Sequence, residues 1–222
     1  MTNQTDTQLS LLIDSIKQDI IFGRLRPRER LVEDQLSERF DVSRHQVRMA
    51  FGTLEQMGLV SRRPNKGAVV RDFSVEEVEE IYEMRAMLQS EAARRIPLPA
   101  SPDLLRNLER IHGDYCKAAD EGNLQRVCSL NNEFHRTIYA ASNNRCLAEM
   151  IERAWVQTLG MRCYAIGDPV LLTRSRREHE QMIELLRIGD RETFIKLCVD
   201  HIWPALEAYK RAHGGWTMQQ SA

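Results

Sequence analysis

The 222-residue chain lacks any run of about 18 consecutive apolar residues, so nothing in it is expected to span a membrane. Its first ten residues, Met1 to Ser10, are polar and lack the basic-then-apolar pattern of a secretory signal. The five cysteines (Cys116, Cys128, Cys146, Cys163, Cys198) are odd in number and contain no C-x-x-C pair, which points to reduced thiols in a cytoplasmic protein. No internal repeat, low-complexity tract, phosphate loop or nucleophile motif stands out. An excess of charge of one sign is also missing: 31 Lys+Arg stand against 32 Asp+Glu, a net charge of −1. That total argues against nucleic-acid binding, where a basic domain is the usual footprint. What is present is enough apolar material, 42% of residues, to bury a core, and length enough for two domains.

Gly and Pro punctuation divides the chain unevenly. Residues 23–72 hold short elements and turns, whereas 74–213 read as long helices with brief breaks. Apolar residues at 9, 12, 13, 16 and 20 form a helical stripe over Leu9–Phe22, stopped by Gly23. Glu33–Phe40 reads as a second helix and Asp41-Val42 as a tight turn. Ser43 then caps a third helix that runs to about Met57 and ends at Gly58. Leu59–Arg63, a Pro-Asn-Lys-Gly turn and Ala68–Arg71 read as a β-hairpin. Helix, helix, turn, helix and hairpin is the order of a winged helix-turn-helix. Ser74, with Glu77 three residues on, has the spacing of a capping box and opens the helical part. The expected fold is therefore mainly α: a winged helix-turn-helix over 1–72 and an all-helical bundle of about six helices over 73–222.

Divided there, the charge is no longer neutral. Residues 1–72 carry 12 Lys/Arg and 10 Asp/Glu, against 19 and 22 in the remainder. Within 42–71, Arg44, Arg48, Arg62, Arg63, Lys66 and Arg71 face one acid, Glu55. A recognition helix enters the major groove with its N-terminal residues toward base edges. Here that stretch is Ser43, Arg44, His45, Gln46, Val47 and Arg48. Arg44 and Arg48 share a face, while Val47, Phe51 and Leu54 point inward. Arg pairs with guanine, Gln with adenine, and Ser43 can cap the helix and donate to phosphate. The hairpin tip Asn65-Lys66-Gly67 combines charge with a residue that permits close backbone approach, and Arg62 stands on the strand before it.

Residues 9–72 resemble the GntR family of bacterial transcription regulators. The resemblance runs through Ile21–Pro27, Leu31–Ser37, Val42-Ser43-Arg44, Val47-Arg48, Leu54, Gly58-Leu59-Val60 and Asn65-Lys66-Gly67. It implies operator contacts by Arg44, Arg48, Lys66 and Gly67. Three departures mark this chain: Pro27-Arg28 for the usual Pro-Gly, His45-Gln46 for Thr-Pro, and Met49-Ala50-Phe51 for Glu-Ala-Leu. The second leaves the fold untouched and alters the expected operator consensus.

The helical part places ionisable groups on inward faces. Arg85 falls on the stripe of Val75, Val78, Ile81/Tyr82, Leu88 and Ala92. A buried Arg needs a partner, either an internal Asp or Glu or a bound carboxylate. His135 shares a face with Val127, Asn131 and Ile138; His179 with Ser175, Met182 and Leu186; His201 with Phe194, Cys198 and Ala205. Three such imidazoles at one level of a helical bundle suggest a site for Zn, Ni, Mn or Fe, although a single one is usually a core residue. Arg162 lies on a mixed face with Ile151, Trp155 and Thr158. Tyr82, Tyr139 and Asn143 are candidates for pocket lining, core packing or surface, and His112 and His213 are expected to be exposed.

Asn131 with Phe134-His135, then Glu178-His179-Glu180 and His201-Ile202, is similar to the metal-binding subset of the FadR-like C-terminal domain. That resemblance, over about 75–212, implies a divalent cation held by an Asp and three His, often with a small carboxylate effector completing the shell. His135, His179 and His201 match the His positions, and Asn131 stands where Asp is common. Arg85 and Arg162 are the effector candidates. The function these features imply is a ligand-responsive repressor, a homodimer on inverted-repeat operator DNA, in which the effector alters the spacing of two DNA-binding heads. Two competing readings are a metal-dependent enzyme and a constitutive DNA-binding protein with a structural metal. Against the enzyme, Glu178 and Glu180 are expected to point away from the metal side of their helix, which leaves no general base.

Overall fold

The computed structural model describes residues 2–63 and 67–213. Its contacts separate two units: one runs to Ser74 and takes in Val156–Gly160, and the other holds Val75–Trp155 and the chain from Met161.

In the first unit, α1 (Thr2–Ile21), α2 (Glu33–Phe40) and α3 (Arg44–Gln56) carry a three-stranded sheet of β1 (Arg30–Leu31), β2 (Val60–Arg63) and β3 (Gly67–Val70). The sequence leads one to expect a two-stranded hairpin. A third strand is present because Arg30 and Leu31 pair antiparallel with Val69 and Ala68, giving the order β1-β3-β2. Two residues are too few to show an alternating pattern. Asp41 adopts a left-handed conformation (φ 50°) that ends α2, and Ser43 then caps α3. The cap is reciprocal: Ser43 Oγ accepts from the Gln46 amide, and the Gln46 side chain accepts from the Ser43 N–H. Gly58 (φ +74°) ends α3. Leu12, Ile16, Leu36, Val47, Phe51, Leu54, Val60 and Val70 meet in one core, so α3 is held by its inner face and presents its outer face.

Among the described residues from Val75 onward there are eight helices where about six are expected: α4 (Val75–Arg95), α5 (Pro102–Asp120), α6 (Leu124–Ala140), α7 (Arg145–Gln157), α8 (Leu159–Ile166), α9 (Pro169–Ile188), α10 (Arg191–Asp200) and α11 (Trp203–His213). The extra helices come from two breaks that the helical period does not announce. One falls at Thr158. The other falls at His201-Ile202, where Pro204 has no N–H to give the Asp200 carbonyl. Local signals set the other ends. Asp168 accepts from the Val170 and Leu171 amides with Pro169 in the first turn, and Gly189 (φ +82°) closes α9. α5 packs on α6 and α9, and α10 packs on α4 and α9. Their shared core includes Leu108, Tyr115, Leu130, Phe134, Met182 and Phe194. Among the described residues, no helix is long and apolar enough to cross a membrane.

Candidate functional site

The first unit exposes the basic groups expected to meet DNA. Arg44 and Arg48 project from α3, and with Arg30, Arg62, Arg63 and Gly67 they line an open groove beside the sheet. His45 is exposed on the first turn of α3, next to the Ser43–Gln46 cap. Three arginines already hold carboxylates. Arg44 Nε lies 2.8 Å from Asp34 Oδ1, Arg48 Nε 2.9 Å from Glu33 Oε2, and Arg62 Nε 2.6 Å from Glu55 Oε2. Glu55 also accepts from the Arg62 backbone N–H, and these bonds hold its carboxyl below the usual range. A charge count over 42–71 misses Glu33 and Asp34 because they sit on α2. Gly67 starts β3 at φ +79°, and a Cβ there would lie 2.3 Å from the Leu31 carbonyl oxygen. Lys66 and Asn65 lie outside the described residues.

In the second unit, three imidazoles from three segments converge. His135 stands on α6, His179 on α9, and His201 at the end of α10. Their ring centroids are 4.9 to 5.0 Å apart. His135 Nε2 and His179 Nε2 approach to 3.3 Å. Two nitrogens that each bind one tetrahedral zinc ion at about 2.1 Å lie roughly 3.4 Å from each other, so this spacing fits a shared cation. One potential ligand atom from each of the three rings falls within 4.8 Å of the others.

Electrostatics keeps two of the rings in the ligating form. Burial, reinforced by His201, Arg162 and Arg85, holds His135 well below the ordinary imidazole range. Burial and the His135, His201 and His112 rings do the same to His179. Neutral imidazole is what binds a metal. His179 is further fixed by stacking on Phe134, with centroids 4.2 Å apart.

A cavity of about 70 Å³ adjoins these rings, lined by Arg85, Gln89, Asn131, His135, Arg162 and His201 among others. Both arginines are buried. Burial pushes the Arg85 guanidinium down to about 10; Tyr82, whose ring it covers at 4.5 Å, pulls it up, and Arg162 pushes it down again. Arg162 donates to the Trp155 carbonyl at 3.4 Å, but its buried Nε has no hydrogen-bond partner among the described residues. Gln89 accepts from Tyr139 at 3.3 Å, and its buried Nε2 likewise has no partner there. Two buried guanidiniums and an unsatisfied amide around one cavity are chemically suited to an anion with several oxygens.

Glu178 differs from expectation. It is buried and lines the same cavity, with Oε2 2.6 Å from His201 Nδ1 and Oε1 accepting from Arg174 Nε at 2.5 Å. The rule for residue i±1 fails because His201 comes from another segment, on the Glu178 side of α9. His112 is half-buried rather than exposed, its ring 6.0 Å from that of His179. Asn143 is an exposed turn residue at φ 55°, while Tyr82 and Tyr139 are buried. The His213 side chain lies outside the described residues.

A winged helix-turn-helix joined to an all-helical unit is the architecture of a transcriptional regulator. Comparison with known proteins gives the family. Residues 10–70 match the model for bacterial regulatory proteins, gntR family, and residues 80–203 match the FCD domain. The uncharacterized HTH-type transcriptional regulator YdhC of Bacillus subtilis is 31% identical over 140 residues, 63% of this chain and 62% of that protein. A probable D-xylose utilization operon transcriptional repressor of Paenarthrobacter nicotinovorans is 25% identical over 212 residues, 94% of this chain and 92% of that one. In fold, the chain matches the solved structure of E. coli McbR/YncC with a TM-score of 0.76 at 22% identity, covering 93% and 98% of the two chains. The chain belongs to the GntR family and carries an FCD domain. It is a transcriptional regulator and not an enzyme.

Proposed function

We propose that this regulator is a cytoplasmic, ligand-responsive repressor. In this reading a homodimer grips an inverted repeat of operator DNA through its two α3 helices. Arg44 and Arg48 reach guanine edges or phosphates, with Ser43, His45 and Gln46 beside them on the first turn. Arg62, Lys66 and Gly67 bring the wing to the backbone. The name of the Paenarthrobacter relative favours repression over activation.

In the helical unit His135, His179 and His201 would hold a divalent cation such as Zn, Ni, Mn or Fe, with Asn131 as a neutral fourth donor. The cation would supply an open coordination position to a carboxylate. Arg85 and Arg162 orient a small organic acid and neutralise its charge. Asn131 brings no charge, so affinity for the cation is lower than in a set completed by Asp. The observation that carries this reading is the 3.3 Å approach of two buried Nε2 atoms beside a cavity with two buried guanidiniums. Control follows if the acid binds the DNA-incompetent state more tightly than the competent one; equal affinity would shift nothing.

Elemental analysis of the purified chain and of His179→Ala tests the metal. The expected result is bound metal in the parent and a marked loss in a folded variant. Full metal content in His179→Ala overturns the site. Operator affinity with and without organic acids separates a ligand-responsive regulator from a constitutive DNA-binding protein.

A further inference from the structure

The neutral imidazole has two tautomers, and only the nitrogen without the proton can bind a metal. His135 and His179 turn their Nε2 atoms toward one another. His201 has its Nδ1 engaged by Glu178, so Nε2 is the nitrogen left for a metal, and binding through it requires the proton on Nδ1. That nitrogen lies 2.6 Å from Glu178 Oε2, and the two side chains are 11% and 12% exposed. A carboxylate can only accept, so the bond puts the proton on Nδ1 and leaves the lone pair on Nε2. His179 Nδ1, by contrast, is buried with no hydrogen-bond partner among the described residues.

The position of His201 gives such a tether a purpose. It caps the C-terminus of α10, immediately before the interruption imposed by Pro204. His135 and His179 stand inside the long helices α6 and α9. Glu178 is also the chain neighbour of His179, so α9 orients two of the three rings.

We propose that Glu178 is a positioning residue: it fixes the tautomer and direction of the His201 ring, with Arg174 Nε holding the other carboxylate oxygen at 2.5 Å. This rests on the metal reading above for its purpose, though not for its geometry. Carboxylate partners of ligating histidines raise metal affinity by roughly 10- to 100-fold.

The test uses the full chain with two variants, Glu178→Ala and Glu178→Gln. In metal-free protein, ¹⁵N NMR of the histidine rings should find His201 protonated on Nδ1. Glu178→Ala should lose that preference, and Glu178→Gln should keep it through the amide oxygen. Zn²⁺ titrated against a chromophoric chelator should bind Glu178→Ala roughly 10- to 100-fold more weakly, with Glu178→Gln in between. A parent His201 protonated on Nε2, or a Glu178→Ala variant with unchanged tautomer and Zn²⁺ affinity, overturns the proposal. If Glu178→Ala does not fold, the parent tautomer and Glu178→Gln decide it. If the parent binds no Zn²⁺, the metal reading fails and the tautomer alone decides the role of Glu178.

Discussion

Gly67 carries a constraint that is almost wholly steric. Its φ of +79° favours glycine, and any Cβ would strike the Leu31 carbonyl oxygen, a backbone atom that β1 pairing holds in place. The strand cannot give way without unzipping Arg30–Leu31 from β3. Gly67→Ala is expected to lower stability by about 1–3 kcal/mol, measured by urea unfolding. It should also weaken operator binding beyond that loss, because the wing is displaced. A variant with parental stability and affinity would show that the close approach is not needed. Arg162 is constrained electrostatically instead. It is buried near Arg85, whose charge it makes costlier. Arg162→Met should therefore be tolerated in stability, because it relieves that repulsion, while the response to organic acids is lost. Thermal melts and operator titrations with acid separate the two effects.

Between elements, three arginines of α3 and the sheet are paired with carboxylates. Arg44 and Arg48 bridge to Asp34 and Glu33 on α2, and Arg62 to Glu55 on α3. Exposed pairs of this kind contribute only about 0–1 kcal/mol to stability. If these arginines contact the operator as proposed, each carboxylate competes with the operator for its guanidinium. Glu33→Gln is expected to leave the melting temperature nearly unchanged and to tighten operator binding, whereas Arg48→Ala should weaken it by about 1–3 kcal/mol if it reads a base. Fluorescence anisotropy across a salt series measures both. Weaker binding by Glu33→Gln would mean that the carboxylate aligns Arg48 rather than withholding it. These pairs also mark what the sequence could reveal. The order of helices and wing was legible because Ser43, Gly58 and the apolar periods act locally. His135, His179 and His201 could be placed on inward faces because helical period alone selects a face. The pairing of Arg30-Leu31 with β3, the break before Pro204 and the turn of Glu178 toward His201 were not legible. The first and last depend on a segment distant in the chain, and a two-residue strand or a residue adjacent to a ligand has no period of its own; the break before Pro204 is local but invisible to the apolar period, which runs on through it.

Across the whole chain, the net charge of −1 averages a basic DNA-binding unit with a longer acidic helical one. The near-neutral total therefore carries no information about DNA binding, and the proposed response to an acid is a coupling between sites. Coupling of this kind is reciprocal. If an organic acid weakens operator binding tenfold, the operator-bound protein must bind that acid tenfold more weakly, about 1.4 kcal/mol in each direction. This distinguishes two ways an acid could act. Binding at Arg85 and Arg162 obeys the reciprocity. An acid that merely strips metal in solution lowers operator affinity without any matched change in its own binding to the protein. Calorimetric titration of the acid into free and operator-bound protein, each saturated with the metal, is expected to give the same ratio as operator titrations with and without acid. Unequal ratios would remove the cavity from the regulatory path and leave metal occupancy as the signal.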